Sequence, residues 1–185
     1  RAWFYNMTKL SSGDFTKLDT SKVTTMYGMF GNCSSLITLG NLDNWNVSQV
    51  TSMVAMFQNC NSLETLGNIG GWTTTSLTQM DGMFINCNKL KSLNLSGFNT
   101  SKLASWTNSE GESRSGMTDA FYGLNSLEEI TLGANFAFKE DGYLPEPSKD
   151  YITGATGLWY TSSGSSYTPS QIPNNTNQTY YAVPR

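Results

Sequence analysis

An eleven-residue block that returns every 27 residues is the feature that most constrains this chain. The pattern Met-x-x-Met-Phe-x-Asn-Cys-x-x-Leu begins at Met26, Met53 and Met80, and a degenerate fourth copy begins at Met117. The tail of an earlier copy occupies residues 4–10. A unit this short cannot bury its apolar side chains alone, so neighbouring units must stack on one another. The sequence therefore predicts an array of repeats.

Each unit combines a helical spacing with a strand pattern. Ser48 is placed to cap a short helix, and the segments 62–66, 89–95 and 126–132 carry Leu and Ile at short intervals, as a strand does. We expect an α/β solenoid: a leucine-rich-repeat-like, right-handed stack of about 27-residue strand-plus-short-helix units, with its strands parallel along one face. The residues that define one helical face are Val50, Met53, Met56 and Phe57.

The repeat array is expected to span residues 1–136. It begins inside a unit, so we expect it to be truncated at its N-terminal end. The step from Phe84 to Phe121 is 37 residues, which places an insertion near residues 104–116. Residues 137–185 lose the period and combine Gly, Ser, Pro and Asn with aromatic residues. We interpret this segment as a β-rich cap on the last repeat; a disordered linker is the alternative, which the aromatic residues fit less well.

Composition excludes several classes of function. The chain carries a formal net charge of −3 without a basic run, which argues against nucleic acid as a partner. It has no histidine, so the commonest general base and zinc ligand is missing, and we expect a protein that is not an enzyme and has no cofactor. No apolar run approaches the ~20 residues of a membrane span, so we expect no membrane insertion within this fragment.

The sulfur-containing and aromatic residues of the repeated block allow three interpretations. Soft ligands at short spacing suit a copper(I) or zinc site, and stacked cysteines about 4.8 Å apart could reach a disulfide. The same positions accept Ala and Leu in other copies, which favours packing with three reduced thiols. We expect a structural core ladder of Met26, Met53, Met80, Phe30, Phe57, Phe84, Cys33, Cys60 and Cys87, and no metal site.

Asparagines precede the cysteine position in the three intact copies, at Asn32, Asn59 and Asn86, and Asn6 stands at the same register before them. A side-chain amide there can satisfy the backbone groups of a turn. We favour this bracing role over a role in reading glycans.

Two surfaces are candidates for ligand binding: one is the face whose charge varies from copy to copy, and the other is the insertion, because long insertions in repeat arrays often map to functional faces. The first is the outward face of the predicted strands, and the second is the polar part of the insertion, since Trp106 aligns with a core methionine. A solvated face would show the same pattern as the first, and adjacent carboxylates such as Glu128 and Glu129 make no convincing catalytic pair. The candidate face comprises Thr38, Glu64, Thr65, Lys91, Ser92, Glu128 and Glu129, and the candidate insertion loop comprises Glu110, Glu112 and Arg114.

The segments "LDTSKV" and "WNVSQV" followed by the repeated block resemble the BspA-like leucine-rich repeat surface proteins of bacteria, whose repeats read roughly W-D-T-S-x-V-T-x-M-x-x-M-F-x-x-C-x-x-L. The resemblance covers residues 4 to about 136. It implies an extracellular protein of the bacterial cell surface, an adhesin that binds a host protein such as fibronectin or fibrinogen, or mucin glycans. A structural stalk is one alternative, and a carbohydrate-binding module that uses Trp159 of the aromatic tail is another.

Overall fold

The computed structural model describes residues 2–185, and regular structure in this range is almost entirely β. A five-stranded mixed sheet has the order β1-β4-β7-β5-β6, and β2 and β3 form a separate hairpin. The expected α/β solenoid of strand-plus-helix units is therefore wrong, because residues 2–185 contain no α-helix. The elements are β1 Ser92–Leu95, β2 Trp106–Thr107, β3 Ser113–Arg114, β4 Glu129–Leu132, β5 Trp159–Tyr160, β6 Ser166–Tyr167, a 3-10 helix Pro169–Gln171, and β7 Gln178–Tyr181.

Backbone conformation explains why the repeated block forms turns. Ala55 and Asn59 have φ values of 55° and 59°, in the left-handed region that a right-handed helix cannot include. Amide groups instead donate three residues back, as Met56 N–H does to the Met53 carbonyl at 3.2 Å and Cys60 N–H does to the Phe57 carbonyl at 3.1 Å. Apolar residues three apart therefore mark successive turns.

The remaining amides of the block donate to the next copy. Met53 N–H donates to the Gln79 carbonyl and Phe57 N–H donates to the Met83 carbonyl, both at 2.9 Å. Successive copies thus share backbone hydrogen bonds at an offset of 26 residues, which takes the donors that an α-helix would need for its own i to i−4 bonds. The predicted cap is also a turn, since the Ser48 N–H donates to the Asn46 Oδ1 at 3.0 Å.

The main sheet joins repeat strands to strands of the C-terminal segment. Strands β1 and β4 are parallel, with Leu93 opposite Ile130. Strand β7 then pairs antiparallel with β4 and places Tyr180 opposite Ile130, and β5 and β6 follow. The sheet is therefore mixed, where an all-parallel face was expected.

Aromatic rings stack from copy to copy through the core. Phe30, Phe57 and Phe84 form one column, with ring centroids 5.9 Å and 5.8 Å apart. Trp45 and Trp72 form a second column at 6.0 Å with an interplanar angle of 3°. Each ring fills the space beneath its neighbour, so the core is continuous although each unit is small. One buried cluster runs from Phe15 in the first units to Ala182 in the tail.

Candidate functional site

The candidate face forms a continuous strip, which we call the strand row. It consists of one pair of adjacent residues from each of four copies: Ile37 and Thr38, Glu64 and Thr65, Lys91 and Ser92, and Glu128 and Glu129. Backbone hydrogen bonds join successive members. Glu64 N–H donates to the Ile37 carbonyl at 2.9 Å, and Glu128 N–H donates to the Lys91 carbonyl at 2.8 Å. The strip is therefore fixed to the core, which makes it a preorganised surface.

Three charged side chains of the strand row are exposed and free of ion pairs within residues 2–185. Glu64, Lys91 and Glu128 alternate in sign along the strip, and none takes part in a salt bridge or side-chain hydrogen bond there. The apolar side chain of Ile37, at one end, is 46% exposed. Charge and apolar surface are thus both available to a partner.

Glu129 differs from the other charged members of the strand row. It accepts a hydrogen bond from the Arg185 guanidinium at 3.1 Å. The same guanidinium lies 3.8 Å from the centroid of the Tyr181 ring. The C-terminal segment therefore covers this end of the strip and takes up part of the charge of Glu129.

The candidate insertion residues lie on the hairpin of β2 and β3 and mainly bind one another. Arg114 donates to the Glu112 Oε2 at 2.6 Å and to the Asp119 Oδ2 at 3.3 Å. Hydrogen bonds from Asn108 and from Arg114, with the positive charge of Arg114, lower the pKa of Glu112. Glu110 is exposed beside this cluster. Glu112 and Asn108 thus hold the hairpin in shape, and the ion pair with Asp119 links Arg114 to the fourth copy of the repeat.

Trp106 does not occupy the core position that its alignment predicted. Met117 fills that position and is fully buried, whereas Trp106 is partly buried in β2 and its Nε1–H donates to the Asp81 Oδ2 at 2.7 Å. Asp81 is 5% exposed and also accepts a bond from the Thr118 N–H at 3.0 Å. No pattern in the sequence indicates this pair, because the insertion breaks the register that would have aligned Trp106 with its neighbours.

The core ladder residues are buried, and the cysteines are free thiols. The Cys60 Sγ–H donates to the Phe30 carbonyl and the Cys87 Sγ–H donates to the Phe57 carbonyl, both at 3.2 Å. Burial raises the pKa of Cys60 to about 12, and it also raises the pKa of Cys87 well above the usual value. These thiols are therefore poor nucleophiles and poor soft-metal ligands.

The register asparagines form a chain of amides. The Asn59 Nδ2–H donates to the Asn32 Oδ1, and the Asn86 Nδ2–H donates to the Asn59 Oδ1, both at 2.8 Å. Asn32 in turn donates to the Tyr5 hydroxyl at 2.9 Å. Asn59 uses both its amide nitrogen and its amide oxygen in this chain, so its partners are side chains of neighbouring copies, where the prediction had the backbone groups of the turn.

The aromatic tail does not expose the residue on which its carbohydrate-binding interpretation depends. Trp159 is fully buried, and its Nε1–H donates to the Pro145 carbonyl at 3.0 Å. A sugar ring cannot stack on a buried indole, so that interpretation of Trp159 is wrong. Within residues 2–185 no group of three metal-ligating side chains comes together, and no helix there has the length and apolar character of a membrane span.

Residues 1–126 match the family model described as "Mycoplasma protein of unknown function, DUF285". The chain belongs to this family. DUF285 is associated with BspA-like surface repeat proteins. No curated protein and no solved structure is significantly similar to the chain.

Proposed function

We propose that this DUF285 protein is a non-enzymatic binding module of the bacterial cell surface, an adhesin whose strand row contacts a host extracellular protein such as fibronectin or fibrinogen, or mucin. One observation carries the proposal: among residues 2–185, Glu64, Lys91 and Glu128 are exposed and have no ion-pair partner, on a strip whose backbone is fixed by bonds between copies. Membership of a family associated with surface proteins supports the extracellular location.

Rigidity is the physical reason why such a strip suits binding. Side chains on a fixed backbone lose less conformational entropy when a partner binds, so more of the contact energy remains as affinity. Alternating charge sets the register of a complementary partner and raises the rate of encounter. The exposed Ile37 adds apolar surface at one end of the strip.

The test is a binding measurement on immobilised fibronectin, fibrinogen and mucin. The variant E64A/K91A/E128A removes the three free charges of the strand row. The variant K22A/D43A/E146A is a matched control, because it removes one lysine and two acidic residues that are exposed elsewhere. Circular dichroism of both variants checks that each is folded.

An adhesin should lose affinity in the row variant by about tenfold or more, while the control variant should keep the native Kd. A stalk that only projects another domain would bind none of the three immobilised proteins. That result, or equal binding by the two variants, would contradict the proposal.

A further inference from the structure

An open groove of about 760 Å³ lies beside the insertion hairpin and touches three consecutive copies of the repeat. We call it the hairpin groove. Among its lining residues, we name Thr25, Ser52 and Gln79 the floor residues and Tyr27 and Trp106 the aromatic residues. It is separate from the strand row, because its floor residues lie thirteen positions before Thr38, Thr65 and Ser92 in their copies.

The floor presents one polar side chain from each copy in a regular line. Thr25 pairs with Ser52, and Ser52 pairs with Gln79, through parallel bridges. The Ser52 hydroxyl and the Gln79 amide make no side-chain hydrogen bond within residues 2–185, although both are only partly exposed. A hydroxyl and a primary amide each donate and accept, so the floor can pair with groups of either kind.

Two aromatic rings border this line of polar groups. Tyr27 is 49% exposed, and Trp106 is partly buried. The bond of 2.7 Å from the Trp106 Nε1–H to Asp81 fixes the indole and consumes its only donor. Trp106 therefore presents a rigid apolar surface to the groove.

Within residues 2–185 the lining of the hairpin groove includes no Asp, Glu, Lys or Arg. Charged side chains, Glu110 and Arg114 among them, line the adjoining pocket that shares Tyr27 and Trp106 with it. A charged peptide or a sulfated glycan would find no complementary charge there. An added peptide strand would need free backbone groups, but the carbonyls of Ser52 and Gln79 already accept bonds from Met26 and Met53. Because the described part of the groove lacks charged side chains and its backbone carbonyls are already bonded, a ligand can be recognised there by side-chain hydrogen bonds and by stacking on aromatic rings.

We infer that the hairpin groove binds a neutral oligosaccharide. A sugar ring has an apolar face of C–H groups that can lie on an aromatic ring, and hydroxyls around its edge that donate and accept. Trp106 and Tyr27 supply the aromatic surfaces, and Ser52 and Gln79 supply the hydrogen-bonding partners. The repetition of the floor along three copies suits a chain of sugar units better than a single sugar.

The test uses the whole chain labelled with nitrogen-15 and four soluble hexasaccharides: maltohexaose, cellohexaose, chitohexaose and a heparin fragment. The indole N–H resonances report on each tryptophan separately. At least one neutral hexasaccharide should shift the Trp106 resonance with a Kd of about 1 mM or below. The resonance of the buried Trp159 should stay in place.

Variants locate the site. S52A/Q79A should weaken binding of the neutral hexasaccharide by about tenfold, because two hydrogen bonds are lost. T65A/S92A removes comparable polar groups from the strand row and should leave this Kd unchanged. If S52A/Q79A fails to fold, Y27A takes its place, and the same loss is required. The variant E64A/K91A/E128A should also keep the saccharide, which separates this inference from the proposed adhesin.

Three results would overturn the inference. The first is that no neutral hexasaccharide shifts Trp106 at concentrations up to about 10 mM. The second is that only the heparin fragment shifts the Trp106 resonance. The third is that S52A/Q79A and T65A/S92A bind the neutral hexasaccharide equally well.

Discussion

Cys60 shows how a side chain with reactive chemistry becomes inert by its position. The thiol is fully buried between two other copies and donates to a backbone carbonyl. Burial raises its pKa to about 12, so the thiolate that reacts with disulfides and metals is absent near neutral pH. The same shift lowers the free energy of unfolding as the pH rises above about 9. The unfolded thiol ionises near its ordinary pKa of about 9, whereas the folded thiol stays protonated up to a pKa of about 12.

We predict that native protein at about pH 8 reacts slowly or not at all with a thiol reagent such as Ellman's reagent. Unfolding in denaturant should release all three cysteines, which are free in the structure. Colorimetric counting of thiols before and after unfolding is the measurement. A count of one after unfolding would mean that two of the cysteines form a disulfide.

Asn59 combines two demands that few residues satisfy together. Its φ of 59° lies in the left-handed region, and its side chain links the amides of Asn32 and Asn86. We predict that Asn59→Gly costs about 1–2 kcal/mol through the lost hydrogen bonds. Asn59→Ala should cost about 1 kcal/mol more, because a Cβ is strained at this φ.

Urea unfolding of the two Asn59 variants separates these contributions, since glycine keeps the backbone conformation and alanine does not. Equal stability of the two variants would show that the left-handed conformation is not what asparagine provides at this position.

At the scale of elements, two side-chain links attach the insertion hairpin to the repeats: the Arg114–Asp119 ion pair and a bond to the buried carboxylate of Asp81. Trp106 donates to Asp81, which is 5% exposed and lies 25 residues earlier in the chain. We predict that Trp106→Phe destabilises the protein by about 1–3 kcal/mol, because a buried carboxylate loses a hydrogen bond. Trp3→Phe is a matched control, since Trp3 is 47% exposed and the change should stay within about 0.5 kcal/mol.

A double-mutant cycle with Asp81→Ala measures the coupling of this pair by chemical denaturation. The two changes should be non-additive by about 1 kcal/mol or more, because each removes the same bond. Additive costs would mean that Trp106 acts through packing alone.

The elements also show where the sequence was informative. The period of 27 residues and the buried ladder followed from residue identity, because apolar side chains at equivalent positions in a repeat pack together. The predicted short helix was wrong because its evidence was ambiguous. A helical face and a series of consecutive turns both produce the spacing seen at Val50, Met53, Met56 and Phe57. The signal that separates the two is Asn59 with Asn32, at a register where left-handed backbone stops a helix.

At the scale of the whole molecule, repeats and C-terminal segment share one core. Strand β7 pairs with β4, and Tyr180, 1% exposed, lies opposite Ile130. The composition of the tail predicted β structure there, but no local pattern specifies that its last strand joins a sheet some fifty residues away. Pairing of that kind is decided by which edge is open and which apolar face is unfilled.

We predict that Tyr180→Ala costs about 3–5 kcal/mol, the range for removing a buried aromatic ring. Tyr151→Ala, at a position 61% exposed, should have little effect. Because the core is continuous, unfolding of the variant should remain a single transition for repeat and tail residues in an NMR-detected urea titration. Earlier loss of the tail signals would show two independent units.

The central claim is that the apolar ladder of the repeats forms the core while the exposed strand row binds a host protein. Placing a photocrosslinker on the strand row tests it most directly. A p-benzoylphenylalanine in place of Lys91 samples the middle of the strip, and the same group in place of Lys22, which is exposed elsewhere, is the control. Illumination with fibronectin, fibrinogen or mucin should give a covalent complex with one of them from position 91 and little or none from position 22. Equal capture from both positions, or none from position 91 while the native chain binds, would contradict the account.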